Sequence, residues 1–300
     1  MISAAMATAA CGPRKCPKSI LGNAHRVFAL AAFAVSASSL HAQTDYYNTD
    51  RGRPLTVEDA YATERYAFEL QLAPLRLERS KGGIYQWAVE PELTYGILPR
   101  THVQIGAPLS YVDVGGGQRK SGLAGIELTL FHNLNVETRS LPALAVVGDV
   151  LLPAGGFGPD KAVFSAKGIA TRTMPWARFH LNGLYTFGSQ FNAGRPSTTS
   201  SAESPLAGRV EVSRWLGGVS VDRTFPLRSM LVGAEVFARQ PLLSEKPVEW
   251  NTGVGIRYQL TPYFNIDGGF GKRLTGEERS WFATFGLSRA FALRSLFPVP

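Results

Sequence analysis

The chain is nearly free of cysteine. Its 300 residues hold two, Cys11 and Cys16, and both lie ahead of the point where a secretory leader would be cut. No disulfide and no cysteine metal site is therefore open to the residues that follow. Long apolar runs are also missing. The stretch Val27–Val35 is too short to cross a bilayer as a helix. Histidine is sparse, with five in all, and only His102, His132 and His180 come after the leader. No His-Glu-x-x-His or His-x-Ser pair occurs, and the three are too scattered to suggest a metal site. Gly115-Gly116-Gly117 and Gly269-Phe270-Gly271-Lys272 lack phosphate-loop spacing and read as backbone punctuation. No cofactor is expected. A Ser–His site with an acidic orienter stays open for His102 and His180, though two hydrogen-bonded histidines are the favoured reading.

What is present begins with a leader. Arg14, Lys15, Lys18 and Arg26 precede the apolar stretch, and small residues lead to Leu40-His41-Ala42, which predicts a signal peptide over residues 1–42. The leader carries four basic and no acidic residues, so the net charge of +8 falls to about +4 without it. That is no electrostatic case for nucleic acid.

From about residue 63 a two-beat rhythm takes over. Successive strand side chains point to opposite faces. In Trp250–Leu260 one face carries Trp250, Val254, Ile256, Tyr258 and Leu260, and the other Asn251, Gly255, Arg257 and Gln259. Twelve such segments are expected, near 65–77, 84–96, 101–112, 122–132, 142–152, 162–172, 176–188, 208–222, 229–239, 248–260, 263–272 and 280–291. Short turns alternate with longer loops, the longest (189–207) reading as flexible. An even number of half-apolar strands with alternating short and long connections predicts an all-β, transmembrane antiparallel up-and-down β-barrel. Its domains are read as a periplasmic lead over 43–62, suggestive of a partial plug, a barrel over 63–291 and a tail over 292–300.

The faces can be assigned. Phe68, Leu70, Ile105, Leu128, Leu130, Val146, Leu181, Phe187 and Phe270 share the lipid-facing parity. Glu69, Glu90, Glu92, His102, Glu127, Asp149, Lys167, Arg178, His180, Glu235, Arg239, Arg257 and Asp267 share the other and are the candidate lumen-lining residues. A charge in hydrocarbon costs several kcal/mol, so these belong in a wet or paired interior. Val210 and Val212 have one parity and Val219 and Val221 the other, which predicts a bulge at Gly217-Gly218 between them. Trp87, Trp250 and Trp281 are expected at the outer interface and Trp176 at the inner one.

Three stretches resemble the outer-membrane family of the MetA pathway of phenol degradation. They are Leu93–Pro108, with its Tyr95-Gly96 turn and closing proline, Gly122–Leu128, and Pro142–Gly155, which ends a strand in Leu-Pro and a Gly loop. Arg53–Ala60 is reminiscent of related barrels, so the resemblance runs over roughly residues 53 to 291. It implies an outer-membrane barrel of a Gram-negative bacterium that moves small, aromatic or hydrophobic compounds, and it supplies no catalytic residues. The last strand, Trp281–Phe291, resembles the signal read by the barrel-assembly machinery, although nine residues follow it. The partners expected are thus outer-membrane lipids, that machinery and a small-molecule solute. A porin-like passive barrel is the leading reading, not an enzyme. A closed structural or surface-binding barrel is the alternative, and a lipid-modifying enzyme a more distant one.

Overall fold

The computed structural model describes residues 48–50, 52–79, 85–113, 119–188, 212–242, 247–275, 280–293 and 296. The expectations for the signal peptide, the 189–207 loop and most of the tail fall outside these residues.

The strands are β1 (Ala67–Arg79), β2 (Tyr85–Leu98), β3 (Thr101–Gly106), β4 (Leu109–Asp113), β5 (Arg119–Leu123), β6 (Ile126–Asn135), β7 (Ala143–Leu152), β8 (Val163–Thr173), β9 (Arg178–Phe187), β10 (Ser213–Phe225), β11 (Met230–Pro241), β12 (Glu249–Thr261), β13 (Phe264–Arg273) and β14 (Trp281–Ala292). β3 and β4 are two halves of one stave, since both pair with β2. β5 and β6 are likewise two halves of the next, pairing with β4 and β3. The first break falls at Ala107-Pro108, where proline offers no N–H to a ladder. The second falls at Ala124-Gly125, where Gly125 has φ 117°. Counted as staves the strands number twelve. All pairings are antiparallel, and β1 pairs with β14 on one side and β2 on the other, so the sheet closes on itself. A closed sheet leaves no strand edge to be satisfied in lipid.

The distribution of side chains is the reverse of a soluble protein's. Leu130 is 53% exposed, while Arg257 is 1% exposed. Along β7 buried and exposed residues alternate, with Leu144 and Val146 outside and Ala145, Val147 and Asp149 inside. Trp87 and Trp250 are exposed at the long-loop end and Trp176 at the short-turn end. The seam of closure is zipped on its outer face by Phe68, which stacks on Tyr95 at 4.4 Å and on Phe291 at 5.3 Å.

Two phase changes set the inner face. β1 takes one extra residue between Leu72 and Leu75 against both neighbours. After it the inward parity switches, which turns Arg76 and Glu78 toward the axis. In β10 the irregularity lies between Ser213 and Trp215, whereas Gly217 and Gly218 pair in register with Ala238 and Phe237. This corrects the expected bulge at Gly217-Gly218; Val210 lies outside the described residues.

Candidate functional site

The lumen is the site, and it is occupied. The segment from Asn48 to Glu64 runs through it without joining the ladder. Five of its backbone N–H groups are instead taken by side chains of the barrel wall. Thr56 and Val57 donate to Oε2 of Glu235, at 2.7 and 2.9 Å. Glu58 N–H donates to Oδ1 of Asn182 at 3.0 Å, and Asn182 returns a bond to the Glu58 carbonyl at 2.8 Å. Ala60 N–H donates to Oγ1 of Thr171 at 2.9 Å, and Thr63 N–H to Nδ1 of His102 at 3.1 Å. The accepting residues sit on β3, β8, β9 and β11, so the wall holds the segment from several sides.

Small wall residues make the path. A Cβ on Gly255 would stand 2.7 Å from Pro54 Cβ, one on Gly233 2.8 Å from Leu55 Cδ1, and one on Gly218 2.6 Å from Val57 Cγ2. Real Cβ atoms do not approach so closely, and glycine alone permits such contact. Leu55 and Val57 are buried, and Val57 packs with Phe237 and Phe282.

Ion pairs fasten the segment at two clusters and through one further pair. On one side, Arg53 reaches Asp267 at 3.1 Å, Asp50 at 2.9 Å and Glu69 at 3.9 Å. Arg257 reaches Asp50 at 2.7 Å and Asp267 at 3.5 Å, and also donates to the carbonyls of Asn48 and Arg53. Three carboxylates thus share two guanidiniums. Burial alone would raise the Asp50 carboxyl, but Arg257 and Arg53 outweigh it and hold it below the usual range. On the other side, Arg178 grips Asp222 through two bonds of 2.9 and 2.8 Å and lies 3.7 Å from Asp59. Burial pushes Asp59 up to about 6, against the charges of Arg178 and His180 and the N–H donations of Thr49 and Tyr61. Between the two, Lys167 pairs with Glu58.

The remaining predicted residues do other work. His180 bonds Asp222 through Nε2 and Thr171 through Nδ1, both at 2.9 Å. A hydroxyl, an imidazole and a carboxylate therefore stand in line. The hydroxyl already accepts the Ala60 N–H and is fully buried, so no substrate can approach it while the segment is docked. Arg239 pairs with Glu249 at 3.1 Å, and Arg273 continues the chain to Glu249 and Glu78, each at 3.2 Å. Arg76 closes it, 3.6 Å from Glu78 and 4.0 Å above the Phe282 ring. This girdle lies toward the long loops. Asp149 accepts from the Thr129 hydroxyl at 2.7 Å. Glu90, Glu92 and Glu127 gather around Gly106 on adjoining staves.

Two cavities flank the segment. One of about 200 Å³ lies toward the long loops, lined in part by Thr56, Glu127, Asp149, Lys167, Leu216 and Arg239. One of about 40 Å³ lies toward the short turns, lined in part by Asp50, Thr63, Glu69 and His102.

No family model matches the chain, and no curated relative aligns with it. Among solved structures it is similar to an outer-membrane channel from Pseudomonas putida F1, with 14% identity over 81% of this chain and 100% of that one and a TM-score of 0.49. It is similar to the KdgM porin at 11% identity, over 74% and 99%, with a TM-score of 0.45. It is also similar to the CymD monoaromatic hydrocarbon channel at 10% identity, over 76% and 89%, with a TM-score of 0.41.

Sequence reasoning missed Asp50, Arg53, Glu58, Asp59, Thr171 and Asn182. The first four lie in a segment with no period to read. Thr171 and Asn182 do have inward parity, but an uncharged side chain on that parity gives no reason to single it out. Asp222 was within reach: two residues from Ser220 on the inward parity of β10, it is a charge that cannot face lipid.

Proposed function

We propose that this protein is a passive outer-membrane barrel for small molecules whose lumen is closed by its own amino-terminal segment. The observation that carries the reading is the path of residues 48–64 across the lumen, held by side chains rather than by ladder bonds. Such a segment can leave without breaking any strand pairing, so one barrel has a shut and an open arrangement. The candidate lumen residues divide accordingly. Glu69, His102, Lys167, Arg178, Glu235, Arg257 and Asp267 hold the segment, whereas Glu90, Glu92, Glu127, Asp149 and Arg239 line the approach from the long loops. The resemblance of Leu93–Pro108, Gly122–Leu128 and Pro142–Gly155 to the MetA-pathway family extends the proposal to aromatic or hydrophobic solutes. In this reading the short turns face the periplasm, and residues 1–42 are the export signal.

The test uses the freedom from cysteine after residue 16. Val57→Cys with Phe237→Cys replaces two side chains that pack in one cluster by thiols that a disulfide can join. In planar bilayers the oxidised protein is expected to stay shut and to pass ions and small solutes once a reductant is added. Equal conductance in both states removes the segment as the gate. Silence in both states, with the barrel inserted, removes the channel reading and leaves the closed structural barrel.

A further inference from the structure

The short-turn rim carries an unbalanced charge that the lumen does not use. Arg65, Arg100, Arg139, Arg223 and Arg228 are exposed there. Arg172 and Arg289, half-buried, stand on lipid-facing positions of β8 and β14 beside Phe179 and Phe264. Among the described residues of this rim the outward acids are Glu64 and Glu137. Glu137 is engaged by Arg172 at 3.6 Å and by the Thr173 N–H at 2.7 Å. Among the described residues of the rim no lysine accompanies the arginines.

Some of these arginines tie the turns. Arg100 donates to the Leu134 carbonyl, and Arg172 to the carbonyls of Thr138, Arg139 and Leu141. Others are held at the edge of the apolar band by aromatic faces. The Arg65 guanidinium lies 4.5 Å from the Tyr66 ring centre, and that of Arg223 5.4 Å from Phe225. A guanidinium set over an aromatic ring retains its N–H donors, and their fork matches two oxygens of a phosphate. Leu227, fully exposed beside Arg228, adds an apolar side chain to the same turn.

We infer that this rim is a docking surface for anionic phospholipid headgroups of the phosphatidylglycerol class. The inference rests on the membrane placement proposed above. The apolar band fixes the depth of the barrel, and arginines just beneath it meet the phosphate layer. A phosphodiester with no cation of its own answers their charge, whereas a zwitterionic headgroup brings a competing ammonium or choline.

The test refolds the mature chain into phosphatidylcholine vesicles containing spin-labelled phosphatidylglycerol or spin-labelled phosphatidylcholine and compares the motionally restricted fractions. Insertion is scored separately by the heat-dependent mobility shift on gels. The wild type is expected to favour phosphatidylglycerol about fivefold at low salt, with the preference fading as salt rises. Arg65→Gln, Arg223→Gln and Arg228→Gln together should bring the two lipids near parity, and Arg228→Gln alone should lower the preference partway. Lys272→Gln, at the other end, should leave it unchanged. An inserted wild type without preference overturns the lipid surface and leaves the channel reading standing, as does a triple variant that keeps the full preference. A chain that does not insert overturns both.

Discussion

Replacing Arg257 by alanine should open the barrel, and the structure sets the scale. Arg257 is 1% exposed. Three of its contacts are to the amino-terminal segment, namely the Asp50 carboxylate and the carbonyls of Asn48 and Arg53. Its contact to Asp267 belongs to the barrel and persists when the segment leaves. Only the first three therefore bear on docking. Without Arg257, three carboxylates are left to one guanidinium, Arg53. Stranding a buried carboxylate costs about 3–5 kcal/mol, which is about two to four orders of magnitude in the docking equilibrium. Single-channel recording on wild type and Arg257→Ala reads this as open probability. Limited proteolysis of residues 48–64 reads it as accessibility. Both should rise together. An inserted Arg257→Ala barrel with wild-type open probability and an equally protected segment would refute the argument that this ion cluster holds the gate.

Other consequences follow from the same contacts. Gly233→Leu puts a side chain where Leu55 lies; the segment should be displaced and conductance should rise while the mobility shift persists. Asp59→Asn tests the pH dependence. Asp59 binds its proton more tightly when docked, with a value near 6, than when released, near 4. Docking is therefore weakened as pH rises from about 4 to about 6, by about 3 kcal/mol in full. The difference in open probability between wild type and Asp59→Asn should shrink as pH falls through that window, and a difference that does not change with pH removes Asp59 from the linkage. Phe68→Ala removes one ring stack across the β1–β14 seam and one between β1 and β2. At roughly 0.5–1.5 kcal/mol each, it should lower the denaturant midpoint of the barrel without changing conductance.

The staves were legible because a lipid-facing wall demands the same alternation along its whole length. Charges such as Arg257 and Asp267 were legible for the same reason, since neither can point outward. What stayed hidden was set by other forces. The phase change in β1 comes from one inserted residue at Pro74, where a strand proline favours a bulge, but its consequence shows only when Arg76 and Glu78 need an inward partner. Gly217-Gly218 looked like a bulge because glycine often marks one. Gly218 instead clears space for Val57, a contact between residues 161 positions apart in number that no local pattern encodes. The path of residues 48–64 leaves no period, because its N–H groups are satisfied by side chains and not by a neighbouring strand.

That same choice of partners explains how a segment can be both specific and removable. A plug joined to the ladder would have to tear backbone pairs from the wall, and the wall would then present an open edge to its own lumen. Here the donors that tie the segment to the wall, those of Thr56, Val57, Glu58, Ala60 and Thr63, end on side chains. Glu235, Asn182, Thr171 and His102 can turn to water or to an entering solute once it leaves. The glycine track sets where the segment lies, and the two ion clusters set how strongly. Specificity and strength therefore rest on different residues. A substitution in the track should alter the path with the charges intact, and one in the clusters should alter the occupancy with the path unchanged. Crossing Gly233→Leu with Arg257→Ala separates the two. If both act only by expelling the segment, the double variant should shift open probability further while its open-state conductance matches that of the singles. A larger open-state conductance would mean that one of them also widens the wall itself.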